Sequence, residues 1–196
     1  MDDKQFLETL YKRETAEPEN IDLLIKLGRI YFVPFYEIKQ ALFYLDKVLT
    51  LDPKNTEARF WVAKCMYHYY CDFARAKTVL EEALAINPIL PECLSLLASV
   101  LGDLDGPIEQ RIKLLNEAVR LAPDWTSPRR SLALLLIKKG QLSEAERLLL
   151  DGLELLKPQE TINDPLDAYY ESAVTGRNSP DIRMKFESLI EKSREK

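Results

Sequence analysis

Cys65, His68 and Cys71 follow one another at intervals of three residues. Thiolates and imidazole are zinc ligands, so this trio is the first place to look for chemistry. On a helix, Cys65 and His68 fall one turn apart. A closed structural zinc site needs four ligands, and no fourth soft ligand stands nearby in the sequence. We therefore expect no metal site. His68 is the one histidine of the chain. There is no Gly-x-Ser-x-Gly elbow, phosphate-binding loop or nucleotide fingerprint. Carboxylate pairs such as Glu81-Glu82 map to the outer face of a helix, where ionised carboxylates are usually solvated. These residue types point away from an enzyme, and no cofactor is expected.

The elements that carry these residues are set by a period. Pro18, Pro53, Pro88, Pro123 and Pro158 stand 35 residues apart. Gly28, Ala63, Ala98, Ala133 and Ala168 keep the same step, and an aliphatic residue precedes each of the first four (Leu27, Val62, Leu97, Leu132). A period of about 20–50 residues marks a repeat architecture. Each unit reads as two amphipathic helices. In the first, Leu24, Leu27, Gly28 and Tyr31 share one helical face, and Ala41, Leu45 and Val48 share another. Pro34 stops the first helix, and Asp52-Pro53-Lys54-Asn55 ends the second. The small column has a physical purpose, because two helices approach closely only where side chains are small.

This pattern of Leu24, Leu27-Gly28, Tyr31, Ala41, Leu45, Val48 and Pro53 recurs in the next three units and resembles the tetratricopeptide repeat family. The resemblance implies an all-α fold, a right-handed superhelix (α-solenoid) of antiparallel helix pairs with 35-residue repeats. The usual family repeat is about 34 residues, which places the extra residue near the turn between the two helices. In the fourth unit, Gly140 and Ala145 keep the shorter spacing, so there it falls later. Arg59 and Arg129 stand where a large apolar residue is usual, and Arg111 where an alanine is. We expect one helical domain over 1–196: a capping helix at 3–16, four repeats over 20–158 and a degenerate closing helix pair at 160–194. Phe6 and Leu10 belong to the first cap, and Ile182, Phe186 and Ile190 form an apolar stripe on the last helix.

In that family the first helices of successive repeats line a concave surface that often receives a peptide or a partner helix. Mapped onto this chain, the face offers Ile25, Lys26, Arg29, Phe32 and Val33 from the first repeat. The second supplies Phe60, Trp61, Lys64, Tyr67 and His68. The third supplies Ser95, Leu96, Ser99 and Asp103, and the fourth Arg130, Ser131, Leu134, Ile137 and Lys138. A face turned from the core is normally polar. Phe60, Trp61 and Tyr67 break that rule, and aromatics beside arginine are common interface anchors. The alternative is that these rings contact the neighbouring repeat or the N-terminal helix. Lys26, Arg29 and Lys64 would favour carboxylates beside an apolar anchor, or else are ordinary surface charges. Some family members hold a heat-shock chaperone's C-terminal carboxylate with a Lys-Asn, Asn, Lys-Arg clamp. The matching positions here are Ile25 and Arg29, Trp61, then Glu92 and Leu96, so that route is not expected.

Apolar residues make up 46% of the chain and charged residues 30%, which fits a soluble protein with a sizeable core. The net charge of −5 argues against a general nucleic-acid or anionic-membrane binder. No apolar stretch approaches the roughly 20 residues of a membrane span. Met1-Asp2-Asp3-Lys4-Gln5 leads into no apolar region, so no secretory signal is expected. Three cysteines without a disulfide spacing fit a reducing compartment, and the expectation is a cytoplasmic protein. The expected function is a non-enzymatic adaptor or scaffold binding a protein segment in the concave groove. The alternatives are a structural subunit that self-associates or joins a larger assembly through its convex or terminal surfaces, and a client-specific chaperone.

Overall fold

The computed structural model describes residues 3–33, 35–155 and 188. The expected closing pair at 160–194 lies outside this range, apart from the single helical residue Ser188. The described chain is helical: α1 (Asp3–Ala16), α2 (Ile21–Phe32), α3 (Ile38–Leu51), α4 (Thr56–Cys65), α5 (Phe73–Ile86), α6 (Pro91–Asp103), α7 (Ile108–Leu121), α8 (Thr126–Lys138) and α9 (Leu142–Leu155). A single π-helical turn, Met66–Tyr70, extends α4. The helices fall into two compact units that divide between Pro88 and Ile89. In the first unit α2 pairs with α3 and α4 with α5; in the second α6 pairs with α7 and α8 with α9.

The small-residue column lies at the crossing of each pair. A Cβ built on Gly28 would stand 2.9 Å from both Cγ and Cδ2 of Leu45. Leu24, Leu27, Ile30, Leu45 and Val48 around it are fully buried. In the second unit Ala98, Leu115, Leu132, Ala133, Leu136, Ala145 and Leu149 form one buried cluster. Each such leucine contributes on the order of 1.5–3 kcal/mol by leaving water. The tetratricopeptide-like spacing therefore builds the core it predicts.

Capping differs between the units. Asn20 and Asn55 accept hydrogen bonds from the Leu23 and Ala58 N–H groups at 3.0 and 2.9 Å, closing the starts of α2 and α4. Such caps are worth about 1 kcal/mol each. The same column holds Leu90 and Trp125 before α6 and α8, without a side-chain cap. Pro91 at the first turn of α6 needs no N–H partner there. The N-terminal helix is fastened by polar contacts. Tyr11 and Tyr31 share a hydroxyl–hydroxyl hydrogen bond, and the Tyr44 hydroxyl donates to Glu14 Oε2 at 3.0 Å. The Tyr31 and Tyr44 rings stack at 5.6 Å between centroids.

The extra residue of the repeat is accommodated in two ways. In the first two repeats the turn is wide: Glu37 N–H reaches Tyr31 O and Asp72 N–H reaches Met66 O, with Tyr36 and Cys71 left-handed at φ 57° and 52°. In the third and fourth, Gly106 N–H bonds Leu101 O and Gln141 N–H bonds Leu136 O, the tighter Schellman closure. The left-handed residue there is Asp105 or Gly140. In the third repeat the turn closes early and Pro107 precedes α7 as the added residue, at the turn between the helices where the spacing placed it. Arg59 and Arg129 also find their reason. The guanidinium of each donates to the carbonyl of the proline six residues before it, Pro53 at 2.7 Å and Pro123 at 2.8 Å. Both arginines tie down the turn between repeats.

Gly28→Val should destabilise the protein by about 1–3 kcal/mol, because Leu45 has no empty space to move into. Urea denaturation against wild type measures this as a lower midpoint with an unchanged slope.

Candidate partner-binding site

The outer face of α2 and α4 brings together most of the first-unit residues expected in the groove. Phe32 packs edge-on against Trp61 at 5.8 Å between centroids, across adjacent repeats, and Phe60 meets Trp61 at 5.4 Å. Two cations lie over this platform. Arg29 Cζ is 5.0 Å from the Trp61 ring centre, and Lys64 Nζ is 4.2 Å from it. Lys64 Nζ also stands 5.2 Å from the Phe32 ring and 5.6 Å from Phe60. The negative face of an aromatic ring attracts a cation, most strongly for tryptophan.

The platform differs from the expectation in one respect. Trp61 is 4% exposed and Phe32 7%, so both are buried rather than presented to solvent. The reason is mutual packing across repeats, the alternative that the sequence left open. Phe60, Tyr67, Lys64, Arg29 and Lys26 are half-buried, and His68 is exposed. Tyr67 contacts His68 at 4.7 Å and Phe73 at 5.6 Å, so the π-helical turn carries the site to the start of α5. In the second unit Leu96 is buried, Arg130 is half-buried, and Leu134 and Lys138 are exposed.

The electrostatics are unbalanced. Arg29 Nη1 pairs with Glu57 at 3.2 Å. Among the described residues no carboxylate lies within ion-pairing reach of Lys64. Burial, and secondarily the nearby Arg29 charge, push the Lys64 ammonium down to about 8. Partial desolvation of its ring, and secondarily the Lys64 charge, hold His68 below its ordinary value. Burial pushes the Cys65 and Cys93 thiols up to about 12. Among the described residues no group of three or more His, Cys, Asp or Glu side chains converges on a point. Cys65 is buried within α4, whereas Cys71 is exposed at the left-handed residue that ends the π-helical turn.

Comparison with known proteins gives the same architecture. The family described as anaphase-promoting complex, cyclosome, subunit 3 matches residues 36–118. Protein IFIT1 homolog B of Homo sapiens is 31% identical over 175 residues, covering 78% of this chain and 36% of that protein. Interferon-induced protein with tetratricopeptide repeats 3 of Mus musculus is 26% identical over 180 residues, covering 84% and 43%. The crystal structure of YrrB, described as a TPR protein with an unusual peptide-binding site, superposes with a TM-score of 0.58 at 18% identity, covering 94% of this chain and 90% of that one. The chain belongs to the tetratricopeptide-repeat family. It spans 31% to 43% of the length of the curated relatives it matches. Tetratricopeptide-repeat folds are in general surfaces for protein–protein interaction, and this one presents first-helix side chains of mixed aromatic and cationic type. Among the described residues no helix is long and apolar enough to cross a membrane.

The desolvated Lys64 predicts a pH-dependent stability difference. Its folded pKa lies below its unfolded value, so the unfolded chain holds more protons between about pH 8 and 10. The cost is therefore fully present below pH 8 and fades as pH rises. Lys64→Met should be more stable than wild type by on the order of 1–3 kcal/mol at pH 7, after allowance for its partial exposure. The gap should narrow by pH 9.5. Urea titrations of both proteins across this range test it, and their difference cancels the shared titration of Cys65, Cys93, Tyr31 and Tyr44.

Proposed function

We propose that this chain is a non-enzymatic interaction module whose α2–α4 face binds a partner segment carrying a carboxylate next to an apolar residue. One observation carries the reading: Lys64 is held as a desolvated cation on Trp61, with no carboxylate of its own among the described residues. A buried charge without a counter-charge is costly, and an incoming carboxylate would offset that cost. Arg29, whose planar guanidinium can bind a carboxylate in bidentate fashion, adjoins it. Phe60, Tyr67 and His68 supply a partly open aromatic rim for the neighbouring apolar residue. The peptide-binding site named in the YrrB structure adds support by likeness of fold. The compartment proposed is the cytoplasm, consistent with three free cysteines. A chaperone for a particular client would use the same surface.

A peptide array rich in acidic residues beside Leu, Phe or Trp, followed by fluorescence anisotropy, tests the proposal. Trp61→Ala/Arg29→Glu should weaken the best ligands by 10-fold or more. Wild-type affinity should fall between pH 7 and 9 as Lys64 loses its proton. Unchanged affinity in the double variant would sink the reading.

A second reading, an assembly subunit, draws on exposed aromatics of the first unit: Tyr36 at 70%, Phe43 at 59% and Tyr69 at 59%. Large aromatics this exposed are candidates for such contacts. If it holds, Phe43→Ser/Tyr69→Ser should shift sedimentation toward the monomer, and a wild type that sediments as a monomer at high concentration would exclude self-association.

A further inference from the structure

The second unit holds a concavity of about 250 Å³ between α6, α7 and α8, and its chemistry is unlike that of the rest of the core. Leu115, Leu134 and Leu135 form apolar walls, and Ser131, Arg111 and Lys138 supply polar groups. Arg111 is the unusual member. The corresponding positions of the other repeats are Ala41, Ala76 and Ala145, all fully buried. Arg111 fits because two compensations accompany it. Its Nε donates to Ala98 O at 3.1 Å, and its guanidinium lies over Gly102, where a Cβ would stand 2.6 Å from Nη2. The side chain is thereby fixed from behind. Its terminal Nη groups make no hydrogen bond or ion pair with the described residues, and the same holds for Lys138 Nζ.

We propose that this concavity is a carboxylate-binding pocket that receives one acidic side chain, glutamate in size, from a partner protein. Volume sets the size class: about 250 Å³ is below the roughly 300–1,000 Å³ of small-molecule sites. It suits a single side chain. Charge sets the chemistry, because a guanidinium oriented by one hydrogen bond still offers two donors to a planar carboxylate. Lys138 adds a second cation, and the Ser131 hydroxyl can donate. The leucine walls fit the methylene stem of glutamate. The pocket rests on second-unit residues alone, so it stands or falls independently of the α2–α4 face.

The test uses the full chain and N-acetyl-glutamate N-methylamide as the probe, with the neutral glutamine analogue as control. Methyl resonances of Leu115, Leu134 and Leu135 are followed by NMR. The expected result is saturable shifts with a millimolar Kd for the glutamate probe, and at least 10-fold weaker binding of the glutamine analogue. Arg111→Ala installs the residue that three other repeats carry, so it should fold, as circular dichroism will show, and lose binding 10-fold or more. Gly102→Ala keeps the charge but displaces the guanidinium, and should also weaken binding. Shifts that do not saturate, equal binding of the neutral analogue or full affinity in Arg111→Ala would each overturn the proposal. Tighter binding of free glutarate than of the peptide-like probe would overturn its assignment to a partner's side chain.

Discussion

How closely two helices of a pair may cross is the constraint on which this molecule depends. Gly28 sets it in the first repeat, where Leu45 occupies the space that a Cβ would need. Alanine sets it at positions 63, 98 and 133, all buried. A close crossing leaves no room for water, so the flanking leucines bury completely and the pair becomes one rigid ridge. It also orients the remaining faces. Once Leu24, Leu27 and Tyr31 are committed inward, helical geometry leaves Arg29 and Phe32 on the side that meets Trp61 from the next repeat. The candidate site is thus a by-product of the packing that stabilises the pair.

Within that site, attraction and desolvation oppose each other. The Trp61 ring attracts both cations, but a cation–aromatic contact is worth roughly 0.5–2 kcal/mol. Burial, with the Arg29 charge beside it, works the other way and depresses the Lys64 ammonium. Arg29 escapes the same imbalance through Glu57. One face therefore carries an ion-paired cation and a second, desolvated one about a single indole. Local destabilisation of this kind is common where a surface is kept for a ligand rather than for folding.

Much of this was legible in the sequence. The proline and small-residue columns locate every described helix pair, since each column corresponds to a physical event: a turn that needs a breaker, or a crossing that needs a small residue. Arg29, Phe32, Phe60, Trp61, Lys64, Tyr67 and His68, assigned from the sequence to one groove face, contact one another in the fold. Burial of Trp61 and Phe32 was not legible. Periodicity reports the angle of a side chain about its own helix, whereas exposure depends on what the next repeat places against it. Arg59, Arg111 and Arg129 announced themselves as departures, but their roles required three-dimensional distances. One clue was present: Arg59 and Arg129 stand two periods apart, each six residues after a repeat-closing proline. The π-helical turn at Met66–Tyr70 left no signal in the hydrophobic pattern, because its residues are mostly aromatic and read equally well as helix.

The two kinds of turn have a consequence for how far one repeat can differ from the next. First helices begin at 21, 56, 91 and 126, an unbroken step, whereas second helices begin at 38, 73, 108 and 142. The last interval is one residue short, yet Ala145 and Leu149 still reach full burial. A second helix that starts one residue early is therefore absorbed within its own pair, whose crossing still packs. The hairpin bend acts as an expansion joint. The rim of a repeat can differ there, with Tyr36 or Cys71 at the bend, while the crossing beneath it keeps its packing.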